Sequence, residues 1–173
     1  QLTANGAQNV NPVASADGKY VLYVSIRGGA KNIWRCNIDG SNPVQLSKGS
    51  ADSYPTTSPD GKWVIFTSMS GSKPTIWMVS IDGGTARQIT EHAAMAGRIS
   101  PDGKLIMFQF TASPDPYAPP NRVGVMPFDS QGEIKEYPLP ASGTASIVTM
   151  WSQDGKSILF SVVSNNVSNI WSQ

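Results

Sequence analysis

Cysteine and histidine are almost missing from this 173-residue chain: each occurs once, as Cys36 and His92. One cysteine excludes an internal disulfide framework and any multi-cysteine metal site. One histidine leaves a single candidate base for a Ser-His-Asp or Cys-His arrangement, and metal chemistry would have to rest on carboxylates. Charge is scarce as well. Charged residues make up 14% of the chain, against about 25% in a typical soluble domain, so the polar surface must come from Ser, Thr, Asn and Gln. With 13 Lys+Arg against 12 Asp+Glu the net charge is +1. That balance offers no basic footprint for nucleic acid and no polybasic membrane patch. No apolar run approaches the roughly 20 residues of a membrane-spanning helix, and no stretch of useful length carries a helical period. The chain opens on Gln1 with neither an initiator Met nor a signal peptide. It reads as a processed or excised piece, with any targeting segment outside it.

What is present is a repeat. Ser15-Ala16-Asp17-Gly18-Lys19 recurs as Ser58-Pro59-Asp60-Gly61-Lys62, as Ser100-Pro101-Asp102-Gly103-Lys104 and as Ser152-Gln153-Asp154-Gly155-Lys156. The word is a tight turn: Asp and Gly are expected to supply positive φ, and Pro presets φ at the second position. Short β-branched and aromatic runs follow each copy, Tyr20 to Val24, Trp63 to Thr67, Leu105 to Phe108 and Ser157 to Ser161. They are too short for helices and read as strands. A second word, Asn32-Ile33-Trp34, Thr75-Ile76-Trp77 and Asn169-Ile170-Trp171, opens a further strand, and the third copy has Arg122-Val123-Gly124 instead. Turns at Ile38-Asp39-Gly40, Ile81-Asp82-Gly83 and Phe128-Asp129 lead to a last strand, Val44 to Ser47, Arg87 to Thr90 and the divergent Ile134 to Tyr137. Pro12 to Ala14, Pro55 to Thr57, Gly97 to Ile99 and Thr149 to Trp151 supply a first strand before each turn. Four strands over about 40–45 residues is the arithmetic of a propeller blade.

The order Ser-Pro-Asp-Gly-Lys, apolar strand, Ile-Trp, Asp-Gly, Gln-Leu/Ile-Ser/Thr resembles the WD40-like β-propeller repeats of the TolB type. Such propellers also occur attached to prolyl-oligopeptidase-class peptidases and to some bacterial receptor kinases. The resemblance runs almost end to end and implies an all-β fold. That fold is a β-propeller of four-stranded antiparallel blades, about four in this chain, with repeats near 9–47, 52–90, 94–139 and 146–173 plus 1–3. Gln1-Leu2-Thr3 matches a last-strand word, while the fourth unit stops at Gln173 inside its third strand. Two expectations follow. The chain is part of a larger ring, or Gln1-Leu2-Thr3 completes the trailing blade, within one chain or in a homodimer that closes an eight-bladed ring. Uncovered sheet edges invite association.

The resemblance also implies where ligands bind, because the first strand of each blade lines the central channel. Aligned on the four turns, the polar members of these segments are Asn9, Asn11, Asp52, Tyr54, Arg98 and Thr149, with Ser146 opening the fourth segment. They converge on a peptide or small ligand at one mouth, or merely hydrate the channel. His92 sits on the loop entering the third repeat, as a ligand contact near the mouth or as a structural donor. The stretch from Thr111 to Asn121 holds four prolines and reads as a stiff loop between strands two and three. Asp115 and Tyr117 give it a polar and an aromatic handle. Asp17, Asp60, Asp102 and Asp154 are assigned to their turns rather than to calcium. Trp34, Trp77 and Trp171 are assigned to packing between blades, and Cys36 to a buried strand position. Asn166-Val167-Ser168 fits a glycosylation acceptor, discounted because the resemblance points to bacteria.

No Gly-x-Ser-x-Gly elbow occurs, and no catalytic residue, metal or cofactor is assigned. The leading reading is a non-catalytic binding or scaffolding module for a protein or peptide partner. Its alternative is an accessory or sensor propeller of a larger enzyme, a peptidase or a receptor kinase. A propeller lyase or glycosidase would need paired carboxylates, and Asp52 alone lies on a channel segment. A periplasmic or exported setting follows from the low charge and the resemblance.

Overall fold

The structure, a computed structural model, describes residues 2–3, 8–128, 132–139, 148–164 and 167–172. Gln1, Asp129, Ser146, Asn166 and Gln173 lie outside them, as does the side chain of Trp171. Among the described residues all regular structure is strand, and no helix is long and apolar enough to cross a membrane. The chain divides into two compact units, Gln1–Gly97 and Arg98–Gln173.

In the first unit β1 (Asn9–Ala14), β2 (Tyr20–Ser25), β3 (Asn32–Asn37) and β4 (Val44–Gln45) form one antiparallel sheet in chain order. A second sheet follows, made of β5 (Asp52–Thr57), β6 (Trp63–Ser68), β7 (Thr75–Ser80) and β8 (Arg87–Gln88). The third sheet is β9 (Met95–Ile99), β10 (Leu105–Phe110), β11 (Arg122–Pro127) and β12 (Lys135–Pro138), and the unit boundary falls within β9. The fourth has three strands, β13 (Val148–Trp151), β14 (Ile158–Ser164) and β15 (Val167–Ser172).

The first hairpin of every sheet closes on the Ser-x-Asp-Gly-Lys word in the same way. The Gly18, Gly61, Gly103 and Gly155 amides each donate to the carbonyl of the word's Ser at 2.9 Å. These glycines have φ of 71°, 71°, 77° and 69°. The four Asp residues do not share the left-handed conformation expected of them. Their carboxylates instead receive the Ser hydroxyl, at 2.6 Å for Ser15 to Asp17, and the Lys amide, at 3.1 Å for Lys19 to Asp17. The Ser hydroxyl oxygen then accepts the amide that opens the next strand, at 3.0 Å from Tyr20. Asp is needed as an acceptor for two donors, and Gly takes the left-handed position at no steric cost.

The short last strand of the first two repeats is shorter still than its four-residue word. Only Val44–Gln45 and Arg87–Gln88 join the ladder. Beyond them the Leu46 and Ile89 amides still donate to the Ile33 and Ile76 carbonyls, at 2.8 and 2.7 Å, but a side chain replaces the backbone as acceptor: the Ile33 amide donates to Ser47 Oγ at 2.9 Å and the Ile76 amide to Thr90 Oγ1 at 3.0 Å. Gln45 and Gln88 hold the bend by donating to the Ser47 and Thr90 carbonyls. A hydroxyl completes the ladder while the main chain departs for the next sheet.

Strands β2, β6 and β10 are nearly continuous buried runs, as sheets covered on both faces require. In the first unit Leu22, Val24, Ile33, Leu46, Val64, Phe66, Val79 and Ile81 form the core between the first two sheets. Each such side chain contributes about 1.5–3 kcal/mol by leaving water. Arg35 is 7% exposed, lies over the Tyr20 ring at 4.4 Å and donates from Nε to the Ile81 carbonyl at 2.6 Å. The second unit has its own core of Met107, Val123, Val125, Leu139, Ile158 and Phe160. There Gly124 stands where the first two sheets have Trp34 and Trp77, because the Phe108 ring fills that space: a Cβ on Gly124 would meet it at 2.6 Å. Cys36 is 1% exposed, and burial pushes its thiol pKa up, so it stays a protonated core residue.

Candidate functional site

The first strands of the first two sheets share one irregularity. The ladder between β1 and β2 shifts by one residue between Val10 and Val13, and that between β5 and β6 shifts between Ser53 and Thr56. The extra residue in each bulge is left-handed: Asn11 at φ 54° and Tyr54 at φ 53°. Ala96, on β9, holds the same place at φ 54°. Bulges re-aim side chains, and here they turn Asn11 and Tyr54 outward, Tyr54 being 48% exposed. Asn tolerates this conformation, whereas for a residue such as Tyr54 or Ala96 it costs about 1–2 kcal/mol. Such strain collects where a side chain must be presented to something.

Asp52 and Asn9 open the same strands and behave otherwise. Asp52 is fully buried. Its Oδ2 accepts the Ser47 hydroxyl at 2.5 Å, the Gly49 amide at 3.0 Å and the Asn32 side-chain amide at 3.5 Å. The Asp52 carboxylate thus ties the tail of the first repeat to the head of the second. Asn9 is half-buried opposite Ser25, and His92 is half-buried in the bend between β8 and β9.

In the second unit Arg98 is exposed on β9, and its carbonyl accepts the Trp151 indole N–H at 3.0 Å. Thr149 is 2% exposed and accepts a hydrogen bond from the Gln109 side chain at 3.1 Å. It belongs to the packing between the third and fourth sheets. Asp115 and Tyr117 stand on the exposed loop between β10 and β11, where the Asp115 carboxylate accepts the Tyr117 amide at 2.9 Å and Tyr117 is 55% exposed. The structure therefore separates the expected set. Asn11 and Tyr54 occupy equivalent exposed places on β1 and β5. Asp52 and Thr149 are interior, and Asp115 and Tyr117 are a local pair.

Two features escaped the sequence reading. Between the third and fourth sheets a cavity of about 470 Å³ opens beside Leu105, Val125 and Trp151. Val125 holds the register position that Arg35 fills in the first sheet, so a shorter side chain leaves room. The second is the guanidinium of Arg27, which lies over the Trp34 ring at 4.4 Å and the Tyr23 ring at 5.9 Å. Its only signal in the sequence was an arginine where the second repeat has Ser70.

A family model described as the TolB beta propeller domain matches residues 1–100. No curated protein sequence matches the chain. Among solved structures, TolB from Acinetobacter baumannii superposes with a TM-score of 0.75 at 19% identity, over 99% of this chain and 42% of that one. The β-propeller domain of the Trilobed protease from Pyrococcus furiosus gives 0.65 at 16% identity, over 96% of this chain and 54% of that one. Oligogalacturonate lyase from Vibrio parahaemolyticus gives 0.65 at 15% identity, over 99% and 55%. These likenesses show the fold, a β-propeller present in part. The chain spans about half the length of the proteins it matches.

Proposed function

From the premise that this chain belongs to the TolB β-propeller domain family, we propose that it is a non-catalytic binding module. It takes a protein or peptide partner at the exposed bulges of its innermost strands. The observation that carries this reading is the repeated left-handed bulge: Asn11 and Tyr54 occupy the same exposed place on successive sheets. An amide that donates and accepts, beside an aromatic ring with a hydroxyl, suits a peptide backbone and its side chains. The partner meets a surface built on strands, so little ordering is needed on binding.

The test is capture by the immobilised protein, comparing the natural sequence with an Asn11→Ala/Tyr54→Ala variant of unchanged circular dichroism. Loss of the captured partner in the variant supports the reading. Equal capture by both proteins, or turnover of a substrate by the isolated chain, overturns it.

A second reading makes the chain an accessory domain of a larger enzyme. The likeness to a propeller that is itself a domain of a protease favours it. An adjoining hydrolase or kinase in the full reading frame decides for it. We place the protein in the periplasm or outside the cell on the strength of the family resemblance, and fractionation of cells tests that placement.

A further inference from the structure

The first two sheets build the same cleft twice and fill it differently. The cross-strand pair Tyr23 and Trp34 of the first sheet corresponds in register to Phe66 and Trp77 of the second. One row further, Asn9 and Ser25 correspond to Asp52 and Ser68. The chain then leaves both sheets in the same turn, with the Arg27 amide donating to Ser25 Oγ at 3.3 Å and the Ser70 amide to Ser68 Oγ at 3.4 Å. In the first sheet the residue after that turn supplies a cation. The Arg27 guanidinium covers the Trp34 ring and donates to the Tyr23 hydroxyl at 3.3 Å. In the second sheet the residue is Ser70, and a cavity of about 250 Å³ remains beside Phe66, Trp77, Ser70 and Asp52.

That cavity has an anion where the first cleft has a neutral amide. Asp52 is 0% exposed and lines it. Its Oδ2 is fully engaged, while Oδ1 has no hydrogen-bond partner. Lys48, on the rim, does not come within ion-pair distance of it. A buried carboxylate oxygen without a donor is costly. An aromatic pair attracts a cation more strongly when both are out of water.

We propose that this cavity binds an alkylguanidinium, laid over Trp77 beside Phe66 as Arg27 lies over Trp34 beside Tyr23, with its charge answered by the buried carboxylate of Asp52. A planar guanidinium can stack and donate in its own plane at the same time, which an ammonium cannot. The group reaches the site either as a small free guanidine compound or as an arginine side chain of a partner.

Calorimetric titration of the protein with methylguanidinium and with neutral methylurea tests the chemistry. A short arginine peptide and its citrulline counterpart test the source. Saturable binding of the charged member of each pair, at least about tenfold tighter than the neutral one, is expected. A peptide about tenfold tighter than methylguanidinium identifies a partner's arginine, and equal affinities identify a small free ligand. Ser70→Arg should abolish binding by supplying an internal guanidinium, and should raise the melting temperature. Should that variant fail to fold, ligand-dependent melting of the natural protein with methylguanidinium against methylurea gives the same comparison. Equal responses to the charged and neutral probes, or unimpaired binding by a folded Ser70→Arg protein, would overturn the proposal.

Discussion

The guanidinium of Arg35 reaches out of its own sheet and donates from Nε to the carbonyl of Ile81 at 2.6 Å. It stands in the core of the first unit at a place where the second sheet, in the same register, has Met78. Its ion pair with Asp82, at 3.9 Å, ends on a carboxylate that is 77% exposed. The two contacts differ in worth. Arg35→Ala should lower the unfolding free energy by about 2–3 kcal/mol, because a buried charge-assisted hydrogen bond and packing volume are both lost. Asp82→Asn should change it by less than about 0.5 kcal/mol. Arg35→Met, which copies the second repeat, should cost less than Arg35→Ala. Urea unfolding of the three variants checks the order.

Gly124 and Phe108 exchange volume across their strand pair. Gly124→Ala places a methyl group against the fully buried Phe108 ring and should cost about 1–3 kcal/mol by overpacking. Adding Phe108→Leu should recover part of that loss, and thermal melting of the single and double variants measures it.

Acid should weaken the hairpin turns. The Ser hydroxyl, and then the Lys amide, hold the carboxyls of Asp17, Asp60, Asp102 and Asp154 below the ordinary Asp value of 3.8. A folded-state value below the unfolded one gives stability that is complete above about 3.8 and is lost as pH falls through the folded-state value. Denaturation midpoints should therefore drop below about pH 4, and Asp60→Asn should make that drop shallower. An acid limb unchanged by Asp→Asn at all four turns would contradict this.

Presentation of Tyr54 should be separable from folding. At φ 53° a glycine is unstrained, so Tyr54→Gly should be more stable than Tyr54→Ala by about 1 kcal/mol. Both should lose the partner. Chemical denaturation read beside capture distinguishes a strained presenting residue from one that packs.

The strand plan was legible because its signals are local. Each Ser-x-Asp-Gly-Lys word carries its own acceptors and its own left-handed residue, so Asp17 and Gly18 announce a hairpin whatever surrounds them. The bulges were not legible, since neither Tyr54 nor Ala96 is a residue that marks positive φ. Asp52 read as a polar channel residue, yet its Oδ2 is spent on Ser47 and Gly49 in the connection from the preceding repeat, a role that polarity at that position does not announce. The shortened last strands had the same cause in miniature. Gln45 and Ser47 read as strand residues, and only their hydrogen bonds to the bend and to Ile33 show them ending one. The exchange of Trp for Gly124 was visible as a gap in the pattern, but the ring that compensates for it lies on another strand.

The self-contained turns bear on the order of folding. Every hydrogen bond that closes a Ser-x-Asp-Gly-Lys hairpin joins groups within five residues of one another. Closing so short a loop takes nanoseconds and a hairpin microseconds, whereas contacts of long sequence separation form late. Each repeat can therefore zip its central ribbon before it meets a neighbour. The Asp52 clasp begins as locally as the turns do, with Ser47 and Gly49 five and three residues away, and only its contact with Asn32, 20 residues back, waits for the third strand of the first repeat before the rivet is set.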